Sequence, residues 1–541
     1  MRPTPNRTSL VPHYTFADSL EAQEAELSAN PLMLRLLESR LRYENDPHRP
    51  IYHYVNPENL LNDPNGLCFW QERWHLFYQA YPPEDSRQHW GHAVSDDLIH
   101  WRDLPYAIYP NPEDCCYSGA TLVEANRVIA MYHGTQVGNM IALAHDPLLL
   151  NWEKLTGQAV IPIAGPEGSA LPYQVFDPCI WNKDGAYYAL SGGTLPHEPS
   201  GKRRAADFLF RSPDLVTWEY LHPFVEGDAF TLIGDDGACP YFLPIGDRHI
   251  LLFFSHMSGG QALIGDYDKV RDKFVVSAQH KFNFGAFPPG GVHAPSAAPD
   301  GQGGIIAIFN MNQAKPTTGW DQIMTLPRRL TLLGNDRFGR DALAMQPAGA
   351  IESLRTDHQT VGQMKLPANQ EIILEHIHGN AIELIAIIDT NDAPLIDLNV
   401  LRSPGKEEFT RIAFFRERGY RNWERYKGWE KDQLRAATDS LITIDSSYSS
   451  ISSDVRSRAP ETAPVYLGPD ELLHLRIFVD KSVVEVFVNG KQCVALRVYP
   501  ERVDSVGVSL RSQGKDAVLM SLDVWQMQSI YSPPMRNLPG I

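Results

Sequence analysis

A short pattern that appears three times limits what this chain can fold into. Ser95-Asp96-Asp97-Leu98-Ile99-His100-Trp101 recurs as Ser212-Pro213-Asp214-Leu215-Val216-Thr217-Trp218. A worn copy is His145-Asp146-Pro147-Leu148-Leu149-Leu150-Asn151-Trp152. Each copy follows one short apolar run and precedes another. From about Ile51 to Leu326, runs such as Trp74–Tyr78, Ala186–Leu190 and His249–Phe254 alternate with clusters of Gly, Pro, Asn and Asp. Short strands punctuated by turn residues predict an all-β sandwich, barrel or propeller. A repeat placed at the turn between strands favours the propeller, whose blades are copies of one unit.

The flanks read differently. In Leu20–Tyr43, leucines 27, 32, 34, 36, 37 and 41 recur at roughly helical spacing. They predict a helical N-terminal extension over 1–50 that packs on the main domain or on a partner subunit. After a Gly- and Asp-containing connection at 335–350, strand-like runs resume at Glu371–Glu375, Leu475–Val479 and Val483–Val488, with Asn489-Gly490 placed for a hairpin. These predict a β-sandwich over 345–541. Residues 416–463, charged and then Ser-rich, read as an exposed insertion.

The net charge of −17 argues against nucleic-acid or anionic-membrane partners, which need a basic face. No stretch reaches the roughly 18 apolar residues of a membrane helix. The first residues lack a hydrophobic signal core, and six cysteines in so long a chain form no disulfide framework. A reducing compartment, the cytoplasm, is the expected location. No cluster of metal-ligand type stands out, so neither metal nor organic cofactor is expected. A homo-oligomer stays open, with the Leu-rich helix and the 416–463 segment as its contact elements.

Chemistry points first to Leu61-Asn62-Asp63-Pro64-Asn65-Gly66. Asn, Asp, Pro and Gly favour turns for separate backbone reasons, so Asp63 is expected on a stiff, tight turn. Such a turn is either an ordinary surface feature or a way of presenting a carboxylate.

Further segments decide between these. Asn62–Gly66, Phe77-Tyr78-Gln79, Trp90–Ser95 running to His100-Trp101, Tyr117-Ser118-Gly119-Ala120, Met324–Arg328 and Val479–Phe487 together resemble glycoside hydrolase family 32, the invertase, inulinase and levanase group. The resemblance implies a five-bladed β-propeller, here 51–335, followed by the β-sandwich. It also implies a carbohydrate substrate: a β-fructofuranoside such as sucrose, a fructo-oligosaccharide, a fructan or a fructose dianhydride. Cleavage would retain configuration, one carboxylate attacking and a second acting as acid and then base. Asp63 would be the nucleophile. Asp177, in Val175-Phe176-Asp177-Pro178, would stabilise the transition state. Asn62, Gln79, Trp90, Tyr117, Ser118, Phe176 and His293 would contact substrate.

The chain departs from the family at three of these places. Phe176 replaces an arginine, and His293 replaces a tyrosine. Ala238, in Gly237-Ala238-Cys239-Pro240, occupies the acid/base glutamate position, and a methyl group transfers no proton. Asp236 is the preferred replacement, two residues away along an extended segment and so on the same face. Asp235 and His293 are further candidates. Three other readings remain: an acid/base-deficient protein, natural or engineered, that binds furanosides without efficient cleavage; a furanosidase for another sugar; and a propeller that serves only for interaction. A lectin-like pocket would draw on Tyr54, Trp70, Phe77, Trp90, Tyr117 and Phe176.

Overall fold

The computed structural model describes residues 8–198, 200–286, 288–333, 341–425, 434–456, 458–468 and 470–531, with backbone only at 422–425 and 434–437. Five sheets follow one another along the chain, antiparallel except where Val225–Glu226 pairs in parallel with Lys273–His280. Their innermost strands are Leu61–Trp70, Cys116–Val123, Pro178–Lys183, Ala238–Ile245 and Val292–Pro299. These strands touch in the order I–II–III–IV–V, and blade V returns to blade I, which closes a five-bladed propeller. Blade V contains Arg328–Leu332 paired with Leu343–Pro347. Its outermost strand therefore lies beyond the expected boundary at 335, and residues 335–340 of the expected connection lie outside the described residues.

The repeated motif is the turn between the third and fourth strands of blades I, II and III. Asp97 Oδ1 accepts the N–H groups of Ile99 and His100, both at 2.9 Å. Asp214 Oδ1 does the same for Val216 and Thr217 at 3.0 and 2.8 Å. In the worn copy the Asp146 carboxylate takes the N–H groups of Leu150 and Asn151. A leucine in each turn adopts the left-handed backbone: Leu98 at φ 71°, Leu149 at 51° and Leu215 at 69°. The aspartate accepts the turn's free N–H groups, which is why the motif survives where the rest of each blade has diverged. Blade IV has the same device without the tryptophan, with Asp268 accepting from Val270 and Arg271.

Two six-strand layers form the sandwich, one of them with a short additional strand. The expected insertion at 416–463 divides. Arg421–Arg425 and Leu434–Thr438 form a separate hairpin, but Ser440–Asp445 is a core strand with Ile442 and Ile444 fully buried. Its serine-rich neighbourhood concealed the apolar alternation.

The N-terminal segment is two helices rather than one, α1 (Leu20–Ala29) and α2 (Pro31–Arg42). Asn30 separates them. Its side chain accepts the Leu32 and Met33 N–H groups, and Pro31 is tolerated where no intrahelical N–H is needed. Leu27, Leu32 and Leu36 are buried against blades I and II, and Arg40 pairs with Asp103. Leu34, Leu37 and Leu41 are more than half exposed.

Candidate active site

The innermost strand of every blade delivers its N-terminal end to one mouth of the propeller axis. Asp63 is the third residue of its strand, Tyr117 and Ser118 open theirs, Asp177 immediately precedes Pro178, and Ala238-Cys239 and His293 open the last two. The strands are distorted at these residues. Register shifts fall between Leu61 and Pro64, Cys116 and Gly119, Ala238 and Tyr241, and Val292 and Pro295. Such bulges re-aim side chains, here towards the axis. Asp63 therefore sits on a bulged strand rather than on the expected tight turn. Pro64 is tolerated there because the innermost strand is a sheet edge. Gly66, at φ 49°, is required by close packing, since a Cβ would lie 2.7 Å from Thr121 Cγ2.

Below the mouth, Tyr241 pins the axis. Its hydroxyl accepts the Gly66 N–H at 3.0 Å, donates to Gly119 C=O at 2.8 Å and lies 2.8 Å from Ser296 Oγ. Blades I, II, IV and V thus meet at one oxygen.

Above it lies a cavity of about 710 Å³ lined by Asp63, Asp177, Asp236, Ala238, Cys239, His256 and His293, with Asn62, Gln79, Tyr117, Ser118 and Phe176. Asp63 Oδ2 receives Ser118 Oγ at 2.7 Å and Gln79 Nε2 at 3.3 Å, and Oδ1 lies 3.1 Å from His293 Nδ1. Burial pushes the Asp63 pKa up, but these donors, His293 first, outweigh it and hold the carboxyl below its ordinary range. Asp177 is in the opposite situation. Burial and then the Asp63 charge raise its pKa to about 6. Cys239 stands between them. Its sulfur is 3.5 Å from an oxygen of each carboxylate, and its N–H donates to Asp177 at 3.0 Å. Asn62 Nδ2 donates a 3.0 Å hydrogen bond to Gln79 Oε1, and its Oδ1 accepts from Gln322 and Asn310.

Several expectations are corrected. Trp90 is fully buried and stands beneath the pocket, its indole N–H donating to Tyr117 C=O at 2.9 Å. Tyr54, Trp70 and Phe77 are likewise core residues, so of the six expected aromatics only Tyr117 and Phe176, 40% and 53% exposed, line the cavity. Asp235 is buried and braces Ser255 Oγ and the Leu232 N–H. Asp236 does reach the cavity, but His256 occupies both its oxygens, by N–H at 2.8 Å and by Nδ1 at 2.7 Å. Despite partial burial, this pairing lowers the Asp236 pKa, so it has no proton to give near neutrality. His256 escaped the sequence reading because it lies in the turn after the neighbouring strand. The signal was available, since it follows the apolar run His249–Phe254 and can fold back beside Ala238.

Propeller, sandwich and paired acids together define the class of the molecule: it is a glycosidase. Residues 53–347 match the glycosyl hydrolases family 32 N-terminal domain, and 350–526 match the family 32 C-terminal domain; the chain belongs to this family. It is 26% identical over 525 residues to a sucrose-6-phosphate hydrolase of Escherichia coli, covering 88% of this chain and 94% of that protein. It is 25% identical to the levanase of Bacillus subtilis, over 92% of this chain and 73% of the relative. Among solved structures, fructan 1-exohydrolase IIa of Cichorium intybus superposes with a TM-score of 0.73 at 22% identity, covering 90% of this chain and 98% of that one.

Proposed function

We propose that this chain hydrolyses β-fructofuranosides with retention of configuration, using Asp63 as nucleophile and Asp177 to stabilise the oxocarbenium-like transition state. The arrangement of Asp63 carries the reading: a carboxylate at the floor of a sugar-sized cavity, kept ionised by three side-chain donors, with a second carboxyl sharing the Cys239 sulfur. An ionised, oriented carboxylate is what attack on an anomeric carbon requires. The relatives' substrates, sucrose 6-phosphate and levan by their names, agree in the fructosyl unit.

The phosphate is a different matter. No Lys or Arg is among the described residues lining the cavity. Arg203, which reaches its rim, is engaged by the hydroxyl and carbonyl of Thr194. Phosphate is recognised chiefly by Lys and Arg, and their absence from the described lining favours a neutral sugar as substrate. Asp63→Asn is expected to abolish turnover of sucrose with the fold intact, and the wild type is expected to prefer sucrose to sucrose 6-phosphate. Unchanged turnover in Asp63→Asn would refute the assignment.

Ala238 favours a second reading, a protein that binds furanosides with little cleavage. Calorimetric binding of sucrose without release of fructose would support it.

A further inference from the structure

The family's acid/base position carries a methyl group in this chain, yet the strand that bears it is paired with one whose following turn brings a titratable group into the same cavity. Ala238 pairs directly with Phe254. Asp236 lies two residues before the strand Ala238–Ile245 begins and His256 in the turn just after Arg248–Ser255 ends, so this pairing brings both beside Ala238, and all three line the cavity. They meet there, His256 Nδ1 being 2.7 Å from Asp236 Oδ2. The backbone N–H of His256 holds the other carboxylate oxygen, which fixes the aspartate as well as the ring. With Nδ1 engaged, Nε2 is left without a protein partner among the described residues. The imidazole lines the cavity, its centroid 5.8 Å from the His293 ring, which itself contacts Asp63. Nucleophile and imidazole are thus about one ring apart.

We propose that His256, oriented by Asp236, is the proton donor and acceptor of the reaction in place of the carboxyl that Ala238 lacks. This rests on the hydrolase reading above. In the first step an Asp63 oxygen bonds to the anomeric carbon as the glycosidic C–O bond breaks, and the leaving oxygen takes the Nε2 proton. In the second, neutral His256 takes a proton from water, whose oxygen bonds to the anomeric carbon. The bond to Asp63 breaks, and the imidazolium is restored. No other reactant is needed. Asp236 is a positioning residue here, and it also keeps the ring charged.

The charges around His256 favour its acid form. Asp236 faces it from the segment just before the neighbouring strand, and Asp63 and Asp177 face it from blade I and from the head of blade III. The Asp236 hydrogen bond, against some desolvation, raises the His256 pKa above 6.5, and both other carboxylates act in the same direction. His293 lies on the blade V side. A histidine held towards its protonated form is suited to general acid catalysis.

The test compares sucrose, whose sugar leaving group needs a proton, with an aryl β-fructofuranoside whose nitrophenolate leaves without one. His256→Gln is expected to lower kcat/KM on sucrose by about 10²–10⁴-fold, with less than about a tenfold loss on the aryl substrate. The retained aryl turnover would also show that the variant is folded. Asp236→Asn should move the alkaline limb of the sucrose profile to lower pH, because the ring loses the charge that supports its proton. Adding Ala238→Glu to His256→Gln should recover sucrose turnover. Equal losses on both substrates, or an unchanged alkaline limb on sucrose in His256→Gln, would overturn the dyad while leaving Asp63 in its role. A wild type inert towards both substrates would overturn the hydrolase reading and the dyad with it.

Discussion

Cys239 adopts the left-handed backbone at φ 52°, rare for a residue with a side chain. The twist turns both its N–H and its sulfur towards the carboxyls, so one residue touches Asp63 and Asp177 at once. Strain of this kind persists only where surrounding contacts hold it. Burial pushes the Cys239 thiol pKa well up, so it stays a donor between the two acids. The consequence is a division of labour. Asp63 is ionised throughout the working range, whereas Asp177, held up at about 6 by burial and by Asp63, is not. Activity that needs an ionised Asp177 is present above that value and lost as pH falls through it. We expect kcat/KM to decline below about pH 6, where an isolated carboxylate would still be charged. A profile flat down to pH 4 would contradict the pairing.

At the level of the strand, the same device is used five times: an innermost edge whose first residues are bulged or lie just ahead of the ladder. Motifs singled out Asp63, Asp177 and Ser118, which the fold brings to one cavity, but not the bulges, since these are set by how five edges meet. Pro64 and Gly66 looked like a turn because the same residues serve an irregular edge strand. Trp90 was misread for a related reason: a large aromatic beside the pocket motif is also what a pillar beneath it requires. His256 was harder to read: it follows the apolar run His249–Phe254, but its place beside Ala238 depends on cross-strand register, which no local pattern contains. Tyr241 is the element-scale joint. Removing its hydroxyl in Tyr241→Phe would leave the Gly66 N–H and Gly119 C=O unpaired in a dry axis. A loss of about 1–3 kcal/mol is expected, read as a lower denaturation midpoint. A midpoint equal to wild type would show that the hydroxyl carries no such role.

Across the whole molecule, two distant motifs that each resembled the family turn out to be one joint. Glu485 of the sandwich accepts the Leu326 N–H at 2.7 Å and the Arg328 guanidinium at 2.8 Å. Asp480 holds the N–H groups of Ile51, Tyr52 and His53, and His53 bridges Asp480 and Glu485 at 2.9 and 3.2 Å. All four charged side chains are fully buried. The architecture was legible in the sequence as an order of segments, but the function of Val479–Phe487 and Met324–Arg328 as a single ion network needed the packing. Burial lowers the His53 pKa, but the two carboxylates outweigh it and raise it above 6.5. Its contribution to stability is therefore complete below pH 6.5 and is lost as pH rises through the raised value. Glu485→Gln would leave Arg328 uncompensated in the interior, at a cost of about 3–5 kcal/mol. We expect lower and separated unfolding transitions for propeller and sandwich; a single transition at the wild-type midpoint would contradict the joint.

The central claim is that Asp63 attacks the sugar directly, and the configuration of the first product tests it. NMR of sucrose hydrolysis, followed before mutarotation, should show β-fructofuranose forming first, as two successive inversions at the anomeric carbon require. The α anomer appearing first would mean that water, not Asp63, makes the attack.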